Sequence, residues 1–255
     1  MIFIGIAVVV VLLGGLYWYF MIQGSNQVAD NTPVVTFTPR PTATPNPDVL
    51  ATIFTAQGGT IVLPSSGDPT SAFTKAMSMA AQNITQGTLA VTTVESGASP
   101  SAQILTIPTL LNRFVASYPP ALQIALGQNY RFLLYGQKES FDAKGRPVTA
   151  SAPSSRLVMV SEIASSSASI LQSWESTMSA NLSSVMAITP TKNTGPFMNT
   201  SHDGASIQFK NFPYPDHSID YALVQYNSKT YLVIAGSREA MFATIDAFSF
   251  TSSSQ

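Results

Sequence analysis

The hydrophobic pattern of this chain changes period along its length, and each period predicts a different kind of element. Met1 to Ile22 reads MIFIGIAVVVVLLGGLYWYFMI, an unbroken apolar run without one ionisable side chain. As a helix it extends roughly 33 Å, enough to cross the hydrocarbon core of a bilayer. Tyr17, Trp18 and Tyr19 lie near its C-terminal end, where amphipathic rings favour the headgroup level. A secretory signal would show a short apolar core, basic residues before it and a small-x-small cleavage site after it. The run is long, no basic residue precedes it, and Gly24, Ser25 and Ala29 make weak cleavage positions. A buried core helix seldom stays apolar on every face for this length. Residues 1–22 are therefore expected to be an uncleaved transmembrane anchor. Gly5, Gly14 and Gly15 permit close helix contact, although they do not form a G-x-x-x-G face.

The period disappears over residues 23–50, where Pro33, Pro39, Pro41, Pro45 and Pro47 alternate with threonines. This composition cannot build a helix or sheet interior and favours extended polyproline II, so the segment reads as a stiff tether of up to roughly 75 Å. Residues 51–250 then show mixed periods. Thr52 to Leu63 carries short β-type runs broken by Gly58-Gly59. Asp68-Pro69 is an N-cap with proline at the first helical position, followed by Phe73, Met77 and Ala80 at helical spacing. Thr88 to Val94 alternates as a strand. Pro108 opens a helix with Leu111, Phe114 and Val115 on one face; Pro119-Pro120 interrupts it, and Ala121 to Leu126 resume before Gly127.

The second half repeats one order: strand, return strand, helix. Tyr130 to Tyr135 and Leu157 to Ile163 are predicted strands joined by the loop Gly136 to Ser155. A helix follows from Ser166 to Met186, with Ile170, Trp174, Met178, Leu182 and Val185 as its buried stripe. Tyr221 to Tyr226 and Thr230 to Ala235 form a hairpin around Asn227-Ser228-Lys229, and Ser237 caps a helix with Met241, Ile245 and Phe248 inward. The fold class that follows is α+β: an N-terminal transmembrane helix, then one domain of mostly antiparallel sheet with helices packed on one face, including two ββα units. The units share pattern rather than residue identity, so duplication and convergent use of one motif both stand open. Residues 251–255 read as a disordered tail.

Charge narrows the partners. Only 10% of residues are charged, against about 25% in an ordinary soluble domain, and the 12 Lys and Arg nearly balance the 13 Asp and Glu. No basic stripe exists to neutralise phosphates, so nucleic acid is not an expected partner. The absence of cysteine excludes disulfides, thiolate metal sites and a cysteine nucleophile. The two histidines, His202 and His217, adjoin Asp203 and Asp216, and a His/Asp cluster can bind a metal or orient a serine. Their spacing matches no metal motif, and solvated loop histidines are the plainer reading.

No serine sits in a G-x-S-x-G elbow or an S-x-x-K motif, and Lys192-Asn193-Thr194-Gly195 only superficially matches a K-T-G triplet. Gly58-Gly59 lacks the lysine of a phosphate loop. Glu95, Asp142, Glu162 and Glu175 could pair for glycoside hydrolysis only if the fold brought two together. Phe209, Phe212 and Tyr214 suit either a contact surface or a sheet edge. No catalytic, cofactor-binding or metal residue is predicted, and no cofactor.

Three stretches carry a resemblance: NYRFLLYGQ, SRLVMVSEIASSSASILQSWESTMSANL and IDYALVQYNSKTYLVIAGSREAMFATIDAF. With the anchor and tether, they resemble a group of uncharacterised single-pass envelope proteins of candidate-phyla bacteria (Patescibacteria, including Parcubacteria). The first 22 residues match only in character, and this chain lacks the polar tail that precedes the anchor in that group. The shared patterns are apolar and carry no catalytic signature. The resemblance implies a cell-membrane protein whose C-terminal domain is extracytoplasmic. No Lys or Arg precedes Arg40, so the positive-inside rule has little to count, and sidedness rests on the tether and this layout. The expected function is a membrane-anchored, non-catalytic structural or protein-binding module at the envelope. Its partners would be the lipid bilayer, through residues 1–22, and an envelope protein or a second copy. A subunit of a type IV pilus or secretion-type assembly is the alternative, and an envelope hydrolase using His202 or His217 is a third reading.

Overall fold

The computed structural model describes residues 48–64, 68–97, 102–115, 117–150, 152–189 and 195–252, all within one packed unit, Pro47–Gln255. The predicted anchor, nearly all of the tether and Lys192 to Thr194 lie outside the described residues. Among those described, no helix is long and apolar enough to cross a membrane.

The unit is α+β and is organised by a sheet in which nearly every pairing is antiparallel. Its strands are β1 (Gln57–Leu63), β2 (Leu89–Ser96), β3 (Gln103–Ile104), β4 (Leu126–Gly136), β7 (Ser155–Ile163), β8 (Met198–His202), β9 (Ala205–Asn211), β10 (Ser218–Tyr226) and β11 (Lys229–Ala235). The order across the sheet is β1-β2-β4-β7-β11-β10-β9-β8, with β3 on β2, and among these strands β1 and β2 alone pair in parallel. A separate hairpin, β5 (Glu139–Phe141) with β6 (Pro147–Thr149), occupies the segment expected to be a loop.

Among the described residues six α-helices accompany the strands: α1 (Val49–Ile53), α2 (Pro69–Ala81), α3 (Ile107–Phe114), α4 (Pro120–Ala125), α5 (Ala168–Leu182) and α6 (Arg238–Ser252). Local chemistry sets their starts. Asp68 accepts the backbone N–H groups of Thr70 and Ser71 at 3.0 and 3.1 Å, and Pro69 follows it. Thr106 and Thr109 form a reciprocal capping box ahead of α3. Asp48 caps α1, whose Leu50 is fully buried, so the packed unit starts before residue 51 and Thr52 begins no strand. At the other end α6 runs on to Ser252. Gly58-Gly59 marks a register shift in β1. Gly59 has φ +84°, and a Cβ on Gly58 would lie 2.9 Å from that of Ala90.

The expectation of helices on one face needs correction, because the helices cover both. Phe132, Leu134, Leu157, Met159, Leu232 and Ile234 point to the side holding α2, α3, α4 and α5. Their neighbours Leu133, Tyr135, Val158, Val160, Val233 and Ala235 point to the side holding α1 and α6. Strands alternate their side chains, so two complete cores require a sheet apolar on both faces. The near-continuous apolar runs in β7, β10 and β11 follow from this.

The same geometry bears on duplication. In the order β4-β7-β11-β10 the two hairpins are mirror-placed, and β7 and β11 are antiparallel. A rotation that superposed one hairpin on the other would run about the sheet normal and would keep each helix on its own face. Yet α5 packs on one face and α6 on the other. The two ββα units therefore have opposite hand and are not rotated copies of one unit.

Candidate functional site

Ser237 caps α6 by accepting the N–H of Ala240 at 3.2 Å, while its hydroxyl donates to Gln137 Oε1 at 2.9 Å. Gln137 is buried at the end of β4. Its amide donates to Glu239 Oε2 at 2.8 Å and to the Glu139 carbonyl at 2.9 Å. The same Glu239 oxygen accepts the backbone N–H groups of Lys138 and Glu139 at 3.1 and 2.9 Å. A carboxylate in the first turn of a helix is favoured by the helix dipole, and here it also pins β5 to α6. Arg238 then reaches Glu139 Oε2 at 3.2 Å.

Beside this rim lies a cleft of about 600 Å³ between the start of α6 and the outer strands β8, β9 and β10. Met198, Phe209, Phe242 and Pro215 supply apolar wall, and Glu139, Arg238 and Glu239 supply charge. Asp220 forms the floor. It sits on β10 opposite Ala235 and Phe209 and is only 2% exposed. No protein group among the described residues donates to its Oδ1. Leaving a buried acceptor unmatched costs about 1–3 kcal/mol. Burial pushes the carboxyl of Asp220 up to about 7, against the opposing pull of the Ser218 hydroxyl and the Arg238 guanidinium. Near neutral pH this group exists in both forms. It can donate or accept as an acid, and it can hold a cation as a carboxylate. No group of three or more His, Asp or Glu among the described residues is arranged to hold a metal ion.

The residues singled out from sequence fall elsewhere. His202 ends β8, stacks on Phe242 with centroids 4.0 Å apart, and its Nε2 lies 2.6 Å from Asp246 Oδ1. His217 precedes β10 in a second network. Arg156 donates to the Asp216 carbonyl at 2.6 Å and approaches His217 Nε2 at 3.0 Å, while Nδ1 lies 3.3 Å from the Asp216 carboxylate. With Arg156 as donor, Nε2 accepts and Nδ1 carries the proton. Burial, then Arg156, pulls the His217 pKa below its ordinary value despite Asp216. The nitrogen a general base would use is thus already engaged.

The four acids considered for hydrolysis are dispersed. Glu95 pairs with Ile104 in the β2–β3 ladder, and Asp142 accepts from Arg146 in the β5–β6 turn. Glu162 binds Lys229 at 2.9 Å, and Glu175 accepts from Tyr221 at 2.5 Å. Phe212 is core, Phe209 packs beside α6, and Tyr214 stacks on Phe141 at 5.7 Å. The three rings therefore take separate places, none of them on the edge strand β8, and the expected packing of the run at a sheet edge is not what the fold shows. Asp220 itself was detectable: it is the lone acid inside the apolar run SIDYALVQY.

These elements define a three-layer α+β domain with an acidic-floored cleft at one end of its sheet. Compared with protein-family profiles, curated protein sequences and solved structures, the chain finds no match.

Proposed function

We propose that the chain is a membrane-anchored, extracytoplasmic binding module of the cell envelope with a non-catalytic role. The observation that carries this reading is the 22-residue apolar run, free of ionisable side chains, ahead of a packed unit whose first helix is capped by Asp48. Between them the proline-rich segment spaces domain from bilayer. The resemblance to single-pass envelope proteins of candidate-phyla bacteria supports the same layout. A binding role is favoured over catalysis because each histidine is committed to a neighbouring acid or arginine, whereas the cleft offers a buried acidic group and apolar walls.

Paired reporter fusions at Gln255 test the topology, one enzyme active only outside the cytoplasm and one active only within it. Activity of the external reporter, with the protein in the membrane fraction, is the expected outcome. Activity of the internal reporter alone would overturn the localisation.

A further inference from the structure

We propose that the cleft between α6 and strands β8 to β10 binds a small organic cation, an ammonium or guanidinium group on an apolar body, with Asp220 accepting its N–H. The proposal deepens the reading of the domain as a binding module and rests on that reading, though not on its sidedness.

Three observations converge on this ligand. Asp220 lines the cleft, is 2% exposed, and has an oxygen to which no described protein group donates. A fold that buries an acceptor this way leaves one strong interaction to be made, and Asp220 is among the residues that line the cleft. The charges around it select the sign of the partner. Glu139 and Glu239 share the lining with Asp220, against the single guanidinium of Arg238, which is held 3.2 Å from Glu139. With Arg238 and Glu139 paired, Glu239 and Asp220 leave the lining acidic, which repels an anion and attracts a positive group. A metal ion would need several ligands converging on one point, and the described residues form no such group.

The walls select the body. Met198, Phe209 and Phe242 offer thioether and ring surface, and about 600 Å³ lies within the range of small-molecule sites. Phe242 is backed by the stacked His202, which fixes its ring. An aromatic face beside an acidic floor suits a cation carrying its own apolar group. The rim is also preorganised, since Glu239 is locked by three N–H donors and joins β5 to α6.

The test uses the full-length chain in detergent and titration calorimetry with phenethylamine, alongside phenethyl alcohol as its uncharged counterpart. Asp220→Asn keeps the shape of the floor and removes its charge. Thr200→Trp fills the mouth of the cleft from β8 without touching the floor. Near-ultraviolet circular dichroism confirms that each variant is folded, and partitioning of the probe into micelles is common to all three proteins. Saturable heat with the amine in the native chain is expected, at least tenfold weaker in each variant and absent with the alcohol. Equal binding by native chain and Asp220→Asn, equal binding of alcohol and amine, or no binding of the amine at millimolar concentration would overturn the site. Loss of amine binding with an external reporter at Gln255 removes this site alone. An internal reporter with amine binding intact removes the localisation alone.

Discussion

A carboxylic acid sealed inside a sheet makes the stability of its fold depend on pH. Asp220 is raised from an ordinary value of 3.8 to about 7, chiefly by burial. The fold therefore prefers the protonated form. Its contribution is fully present below the ordinary carboxyl value and is lost as pH rises through about 7. Asp220→Asn, neutral at every pH, should match the native chain in stability near pH 4. Near pH 8 it should exceed the native chain by on the order of 2–4 kcal/mol. Urea unfolding at the two pH values measures this, and parallel native and variant stabilities across the range would show that Asp220 does not titrate as described.

At the scale of elements, α5 and α6 pack on the sheet from opposite sides. Trp174 is 2% exposed and packs beneath Tyr118, with ring centroids 6.1 Å apart, but its indole N–H has no partner among the described residues. Its value is volume rather than hydrogen bonding. Trp174→Ala is expected to cost about 3–5 kcal/mol through the cavity it leaves. Trp174→Phe should cost less than about 1.5 kcal/mol, because it retains much of the ring and removes an orphaned donor. Chemical denaturation of both variants checks this. Equal losses would mean that the indole nitrogen matters after all.

Much of this level was legible in the sequence. Asp68-Pro69 and Ser237 mark helix starts because a cap acts within one turn, and Met241, Ile245 and Phe248 fall on one face because their spacing is local. The Asn227-Ser228 turn has both residues at positive φ, 48° and 62°, which suits the right-handed twist of a two-residue hairpin. An equally short signal, Asp203-Gly204, closes the β8–β9 hairpin with φ of 44° and 79°, beside a histidine that the sequence places in a loop. Sidedness was less accessible. Which face a helix takes depends on the hand of its connection, and periodicity does not record that. The candidate cleft is harder still, since Asp220 meets Glu139 and Arg238 only after β5 folds back on α6.

On the scale of the whole molecule, α1 joins the segment expected to be a tether to the α6 core. Leu50 is fully buried, Phe54 meets Phe248 edge-on with centroids 5.6 Å apart, and Arg131 on β4 pairs with Asp48. The chain therefore enters the unit through a structural helix. A protein comprising residues 47–255 should unfold cooperatively at the same denaturant midpoint as the full chain. One beginning at residue 57 should lose roughly 3–6 kcal/mol, the burial of Leu50 and Phe54. Identical midpoints for the two shortened proteins would make α1 dispensable.

Whether a membrane span at residues 1–22 holds this domain outside the cytoplasm can be measured directly, because the sequence is free of cysteine. Ile124 on α4 is 86% exposed, so Ile124→Cys places a single accessible thiol on the domain. Intact cells are treated with a membrane-impermeant maleimide, and their membranes are then washed with alkaline carbonate. The expected result is labelling in intact cells with the labelled chain retained in the membrane pellet. Labelling only after lysis, or release of the chain into the carbonate supernatant, would contradict it.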